Sequence, residues 1–116
     1  MAEIITGSRA VDGTEWCLFA NASGPSTQTT VREVEVWIDT TALASNVGTV
    51  IAIRGYEKVR AADAQHQFMD PIYVTAGRPM VLLPLHMYRH GYSITAQRAS
   101  GSGTPTITWS IRSPGT

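Results

Sequence analysis

Apolar and polar side chains alternate with a period of two residues along most of this chain, and this pattern constrains the fold more than any other feature. The segment VREVEVWID at 31–39 places Val34, Val36 and Ile38 on one side and mostly acidic residues on the other. Successive side chains of a β-strand point to opposite faces of a sheet. The segment therefore predicts a strand with one face in a core and the other mostly in water.

Similar runs follow one another along the chain. They are TEWCLFANA at 14–22, TVIAIRGYEKV at 49–59, QHQFMDPIYV at 65–74, MVLLPLHMY at 80–88 and GYSITAQRASGSGTPTITWSIR at 91–112. Because proline has no backbone N–H, Pro71 and Pro84 predict strands that lie at a sheet edge or are split in two. Gly55 predicts a bulge or a close backbone contact, and TTALASN at 40–46 predicts one or two helical turns.

The final run consists of two alternating segments on either side of a small-residue tip. Ser100-Gly101-Ser102-Gly103 supplies the conformational freedom that a tight loop needs. We expect a terminal β-hairpin here, with Trp109 placed in the core.

The chain length and the number of strands together predict the architecture. A chain of 116 residues is long enough for one domain. About seven or eight short strands must double over to bury their apolar faces, which predicts an all-β, antiparallel β-sandwich, jelly-roll-like, with at most short helical turns. We expect residues 1–13 to form an N-terminal arm, 14–112 the sandwich domain and 113–116 a C-terminal tail.

Charge and hydropathy argue against several classes of partner. Nine basic residues balance nine acidic ones, so no long-range field attracts nucleic acid. The first thirteen residues lack the pattern of a signal peptide, and the apolar run at 80–87 is too short to span a bilayer. We expect a soluble protein made in the cytoplasm, with neither nucleic acid nor membrane as its partner.

The reactive side chains give little support for catalysis. The single cysteine, Cys17, excludes an internal disulfide, and its apolar neighbours predict burial. His66, His86 and His90 do not have the spacing of a metal site for a chain made of strands. The chain also lacks the serine nucleophile motif, the phosphate-binding loop and the dinucleotide fingerprint. We therefore expect no enzyme activity, cofactor or metal.

Glu33 and Glu35 form the one acidic pair that needs a separate interpretation. Two residues apart on a strand, they lie about 7 Å from each other on one face, which loosely resembles the carboxylate pairs of glycosidases. Two acids on the polar side of an alternating strand also describe an ordinary solvated face. We favour the solvated face, and a small hydrolase is the least supported of the functional hypotheses.

Aromatic residues on the polar faces of two strands mark a candidate contact surface. Trp37 shares its face with Glu33 and Glu35, and Tyr56 shares its face with Arg54. These residues are compatible with a sugar-stacking platform, a contact with another subunit, or a second covered face of the sheet. We favour a subunit contact, and these five residues are the candidate partner contacts.

Three segments resemble a known group of proteins. They are AVDGTEWCLFANASGPSTQTT at 10–30, IRGYEKVRAADAQ at 53–65 and GYSITAQRASGSGTPTITWSIR at 91–112. They resemble short β-rich proteins encoded in the virion-structure modules of tailed bacteriophages and prophages, in which a DGTEW-like opening, a YEKVR-like strand and a terminal W-x-I-R recur. The resemblance spans nearly the whole chain, and its motifs are structural rather than catalytic.

The resemblance implies a virion component similar to capsid cement or decoration proteins. Such a protein binds the capsid exterior and bridges major capsid protein subunits, together with neighbouring copies of itself. The extended parts expected to reach across subunits are residues 1–13, the loop at 24–30 and the C-terminal tail. The alternative is a tail, connector or head-fibre component that acts as a receptor- or carbohydrate-binding module.

Overall fold

The structure, a computed structural model, describes residues 2–114. Within this range the chain forms ten β-strands and one 3₁₀ helix. The strands are β1 (Ala2–Ala10), β2 (Trp16–Cys17), β3 (Ala22–Ser23), β4 (Arg32–Asp39), β5 (Val50–Lys58), β6 (Gln65–Gln67), β7 (Ile72–Val74), β8 (Val81–Tyr88), β9 (Ser93–Ser100) and β10 (Thr106–Ser113). The 3₁₀ helix, Thr41–Ser45, confirms the helical turn predicted after β4 and buries Leu43.

The strands form two antiparallel sheets that pack face to face. A four-stranded sheet has the order β1-β10-β4-β8. A six-stranded sheet has the order β3-β2-β9-β5-β6, with β7 also pairing with β5. This confirms the predicted all-β antiparallel sandwich. The strands outnumber the seven or eight expected because β1 is an additional strand and because the segments at 14–22 and 65–74 are each split in two.

The core lies between the inner faces of the two sheets. Trp109 lies in the core, as predicted, and is 4% exposed. Its indole N–H donates to the carbonyl oxygen of Leu18 at 2.9 Å. That bond satisfies the polar atom of a buried aromatic ring. The other large buried side chains include Val34, Val36, Ile38, Ile51, Ile53, Leu83, Tyr88, Tyr92, Ile94, Ile107 and Ile111.

The predicted terminal hairpin is wrong. β9 pairs with β2 and β5 in the six-stranded sheet, whereas β10 pairs with β1 and β4 in the four-stranded sheet. The glycine-rich tip thus leads the chain from one layer to the other. Both strands carry apolar rows, and placing them in opposite layers buries one row against the other, which two neighbours in one sheet do not achieve.

The expected N-terminal arm is also different in the structure. Residues 2–10 form an edge strand that pairs with β10 over almost its whole length. Ile5 packs against the core from this strand. The guanidinium of Arg9 lies 3.7 Å from the centre of a Trp16 ring, which closes this side of the sandwich. The segment is therefore part of the body of the protein.

The predicted effects of the two prolines on their strands are confirmed. Pro71 lies between β6 and β7, and Pro84 lies in edge strand β8, whose pairing with β4 shifts in register between Val34 and Val36. At Gly55 the pairing is regular, but a Cβ would lie 2.8 Å from a ring carbon of Phe68, so the glycine permits a close contact rather than a bulge. No helix within 2–114 is long and apolar enough to cross a membrane.

Candidate interaction surface

The outer face of β4 carries three of the five predicted contact residues. Val34, Val36 and Ile38 are buried, which leaves Glu33, Glu35 and Trp37 on the opposite face of the strand. Trp37 is half-buried by its neighbours. The alternation of the sequence therefore placed these side chains correctly.

Edge strand β8 continues this face with exposed apolar side chains. Leu82 pairs with Trp37 and is 42% exposed, and Met87 pairs with Glu33 and is 38% exposed. Directly opposite residues of paired strands project from the same face. With the exposed Met80 and Leu85, these residues form what we call the apolar strip: Trp37, Met80, Leu82, Leu85 and Met87.

Arg112 and Glu35 contact Trp37 directly, and Glu3 acts through Ser110 on Arg112. The guanidinium of Arg112 on β10 lies 4.4 Å from the centre of a Trp37 ring. The indole N–H of Trp37 donates to Glu35 Oε1 at 3.3 Å. Arg112 Nε donates to the Ser110 hydroxyl, which in turn donates to Glu3 on β1 at 2.5 Å. These contacts fix the orientation of the ring at the border between polar and apolar parts of the face.

The other half of the same face is polar. On β1 and β10 it includes the small hydroxyl side chains of Thr6, Ser8, Thr106, Thr108 and Ser110. At one end of the sheet, a groove lined by Ile4, Val31 and Met87 adds further exposed apolar surface beside Arg32 and Glu33. An apolar strip bordered by charges and hydroxyls has the composition of a protein contact surface.

Arg54 and Tyr56 lie elsewhere. They belong to β5 in the six-stranded sheet, whereas Trp37 belongs to the four-stranded sheet, so the structure does not bring the predicted aromatic residues together. A single sugar-stacking platform made from Trp37 and Tyr56 is therefore wrong. Arg54 donates to the side chain of Gln97 at 2.8 Å.

Tyr56 is engaged inside its own sheet. Its hydroxyl and that of Thr95 both donate to Glu15 Oε2, each at 2.5 Å. Burial, followed by the hydrogen bond to Glu15, raises the pKa of Tyr56 to about 12. Glu15, the residue before β2, thereby joins Tyr56 on β5 to Thr95 on β9, so this tyrosine makes a contact within the protein.

Cys17 is fully buried, as predicted, but its surroundings are polar. Its sulfur accepts from the hydroxyls of Ser26 and Ser93 at 3.0 and 3.2 Å. Burial acts to raise the pKa of the thiol, but these hydroxyl donors, together with backbone N–H groups, hold it below its usual value. The loop containing Ser26 covers this part of the six-stranded sheet.

The histidines lie near Glu57, which pairs with His66 across β5 and β6 and accepts from the backbone N–H of His90. His86 Nε2 lies 3.3 Å from Glu57 Oε1, and its ring stacks on Phe68 with centres 5.0 Å apart. Within residues 2–114, no three His, Cys, Asp or Glu side chains are grouped as metal ligands.

Strand β8 contributes a part of this surface that the predictions from the sequence did not include. The run at 80–88 is apolar on both of its alternating faces, whereas its proline and its length predict only an edge or split strand that is too short to span a bilayer. A doubly apolar strand at a sheet edge exposes one of its rows, and that combination is the signal that identifies the apolar strip.

Comparisons of this chain with family models, curated proteins and solved structures found no match.

Proposed function

We propose that this chain is a non-enzymatic structural protein of a tailed-bacteriophage virion, a capsid cement protein that bridges and stabilises major capsid protein subunits. The virion setting rests on the resemblance of the segments at 10–30, 53–65 and 91–112. The mode of action rests on the four-stranded sheet, which offers a contact face on a rigid body.

The single observation that carries the proposal is the apolar strip. Burial of apolar surface contributes about 25 cal/mol per Å², and tryptophan is among the residues that most often dominate a protein interface. Glu33, Glu35 and Arg112 border the strip, where charged groups are expected at the rim of an interface. The strip therefore supports docking through side chains on the face of the sheet.

Docking by strand addition at β8 is less favourable. Pro84 lies inside this edge strand and cannot donate a backbone hydrogen bond, and the register shift beside it interrupts the edge. The capsid partner is thus expected to lie over the outer face of the sheet, rather than to extend it.

The proposed bridging does not use the N-terminal segment or the loop at 24–30, which the sequence predicted to be extended. Of the expected C-terminal tail at 113–116, Ser113 belongs to β10, and residues 115–116 lie outside the described residues. Residues 2–10 are paired in the sheet, and the loop at 24–30 is held by a bridge between Gln28 and Tyr92. Gln65 also donates to the carbonyl oxygen of Ser26. A stiff body can stabilise a shell through weak contacts, because many copies on a symmetric lattice act together.

The alternative, a receptor- or carbohydrate-binding module of the tail or fibre, finds less support in the site. Arg112 already stacks on Trp37, and Tyr56 is bonded to Glu15 in the other sheet. A sugar ring would have to replace the guanidinium or use a ring edge.

Localisation and stability of the particle test the proposal. Cryo-electron microscopy of the virion is expected to show the chain on the capsid exterior, with the apolar strip against capsid protein. Particles assembled without it are expected to lose DNA at lower temperature and to be more sensitive to osmotic shock. Density for the chain at the tail tip or fibre, with equally robust particles in its absence, would favour the alternative.

A further inference from the structure

A recess opens on the outer face of the four-stranded sheet, at one end of the apolar strip. It has a volume of about 220 Å³, and we call it the Asp39 recess after the last residue of β4. Beside Asp39 it is lined by the side chains of Trp37, Met80, Thr108 and Ser110. The recess therefore combines apolar walls with hydroxyls and a carboxylate.

The Asp39 carboxylate is held in its charged form and has an oxygen available to a partner. Thr41 donates to its Oδ1 twice, from the hydroxyl at 2.6 Å and from the backbone N–H at 2.9 Å. These bonds hold the pKa of Asp39 below its ordinary value. No base within residues 2–114 forms an ion pair with Asp39, so Oδ2 can accept from a cation outside the chain.

The neighbours of Asp39 suit a cation on an apolar stem. Thr108 is directly opposite Asp39 in the pairing of β10 with β4, so its hydroxyl lies on the same face as a second acceptor. Trp37 shares this face two residues earlier, and Met80 is 53% exposed. A lysine side chain buries its methylene groups against apolar surface and keeps its ammonium in polar surroundings.

Charges on this face favour a cation over an anion. Arg112 also lines the recess, but its guanidinium is stacked on Trp37 and bonded through Nε to Ser110. Arg32, at the other end of β4, is a further base beside this face. Acids outnumber these bases, since the face carries the carboxylates of Glu3, Glu33, Glu35 and Asp39. Complementary charge steers a partner and fixes its register on the surface.

The geometry of the carboxylate distinguishes lysine from arginine. A guanidinium binds a carboxylate best through two parallel hydrogen bonds, one to each oxygen. Because Oδ1 of Asp39 already accepts twice from Thr41, one oxygen is left for the partner. The compact charge of an ammonium needs only that one oxygen and a neighbouring hydroxyl.

We propose that the Asp39 recess receives a lysine side chain of the docking partner, with its ammonium on Asp39 and Thr108 and its stem against Trp37 and Met80. That the partner is capsid protein rests on the proposed function, whereas the preference of the recess for lysine does not. The recess shares Trp37 and Met80 with the apolar strip. This contact adds a charged anchor at one end of the strip and fixes where the partner lies along it.

The direct test is an NMR titration of the purified full-length protein with Nα-acetyl-lysine methylamide, followed through the indole N–H signal of Trp37. The norleucine analogue has the same alkyl stem without the ammonium. We expect saturable shifts, with the norleucine analogue binding about threefold more weakly, since an exposed ion pair contributes modestly. Equal affinity for these two probes, tighter binding of the arginine or glutamate analogue, or the absence of saturable shifts would overturn the proposal.

A matched pair of substitutions on β4 locates the site. Asp39→Asn removes the charge but keeps an oxygen that accepts from Thr41, so the variant is expected to fold. Glu33→Gln removes the same charge from the same face outside the recess. We expect Asp39→Asn to bind the lysine probe no better than the norleucine probe, and Glu33→Gln to bind it like the wild type. Unchanged lysine binding in Asp39→Asn would contradict the site.

Binding to capsids that lack this chain tests the source of the lysine. Asp39→Asn is expected to bind about threefold more weakly than the wild type at low ionic strength. The difference should shrink at high salt, because ions screen an exposed pair. Wild-type binding that Asp39→Asn leaves unchanged at every salt concentration would overturn the contact with capsid protein. The absence of wild-type binding would contradict the proposed function alone, because the probe titration uses no capsid.

Discussion

The indole ring of Trp109 occupies the space that a side chain at Gly7 would need. The two residues are directly opposite in the pairing of β1 with β10, and a Cβ at position 7 would overlap the ring. The absence of a side chain allows β1 to lie flat beside the buried tryptophan. This contact explains how the N-terminal segment joins the sheet.

Gly7→Ala is therefore expected to destabilise the protein by about 1 to 3 kcal/mol, the usual cost of overpacking a filled core. Urea unfolding followed by tryptophan fluorescence measures this. Ser8→Ala is the matched control, since Ser8 is exposed on the other face of the same strand and should change little. Equal stability of Gly7→Ala and the wild type would show that β1 is not held against Trp109.

Tyr56 is expected to keep its proton well into the alkaline range. Burial and the hydrogen bond to Glu15 raise its pKa to about 12, above the ordinary value of 10.0. Because the pKa is higher in the folded state, protonated Tyr56 contributes fully to folding stability at a pH below the ordinary pKa. This contribution is lost as the pH rises towards the pKa of the folded state. NMR of the Tyr56 ring signals should give a midpoint near 12, and a midpoint near 10 would contradict the bond to Glu15.

We expect the folded protein to lose stability in acid because of Glu57. Partial burial acts to raise the pKa of this carboxyl, but hydrogen bonds from the N–H groups of Arg89 and His90 and from His86 hold it below the ordinary value. Because the pKa is lower in the folded state, the ionised Glu57 carboxylate stabilises the fold at a pH above the ordinary pKa of 4.5. This contribution is lost as the pH falls through the pKa of the folded state.

The test compares urea unfolding of the wild type and Glu57→Gln between about pH 7 and pH 3. The wild type should be more stable by about 1 to 3 kcal/mol near neutral pH, and the difference should shrink as the solution becomes acidic. Glu33→Gln removes the same charge from the outer face of β4 and serves as the control. A difference that stays constant with pH would rule out the role assigned to the Glu57 carboxylate.

Alternation of side chains predicted which residues lie in the core but not which strands are neighbours. Val34, Val36 and Ile38 are buried and Trp37 points outward, as the period of two indicated. The same period describes β9 and β10, yet these strands lie in different layers. Alternation fixes the face of a residue, whereas the pairing of strands depends on contacts between residues distant in the chain.

The candidate surface could be predicted only in part for the same reason. Glu33, Glu35 and Trp37 share one strand, so their common face follows from local geometry. Grouping Tyr56 with Trp37 required knowledge of the sheet to which each strand belongs. The position of β8 beside β4 is likewise a long-range property, and it is what brings Leu82 next to Trp37.

Co-sedimentation with capsids lacking this chain tests most directly the proposed docking of the apolar strip on capsid protein. Leu82→Glu places a charge in the strip, whereas Val59→Glu places the same charge at a residue that is 78% exposed and outside it. We predict that the wild type and Val59→Glu bind equally and that Leu82→Glu binds about tenfold or more weakly. Binding of Leu82→Glu with the affinity and copy number of the wild type would contradict the account.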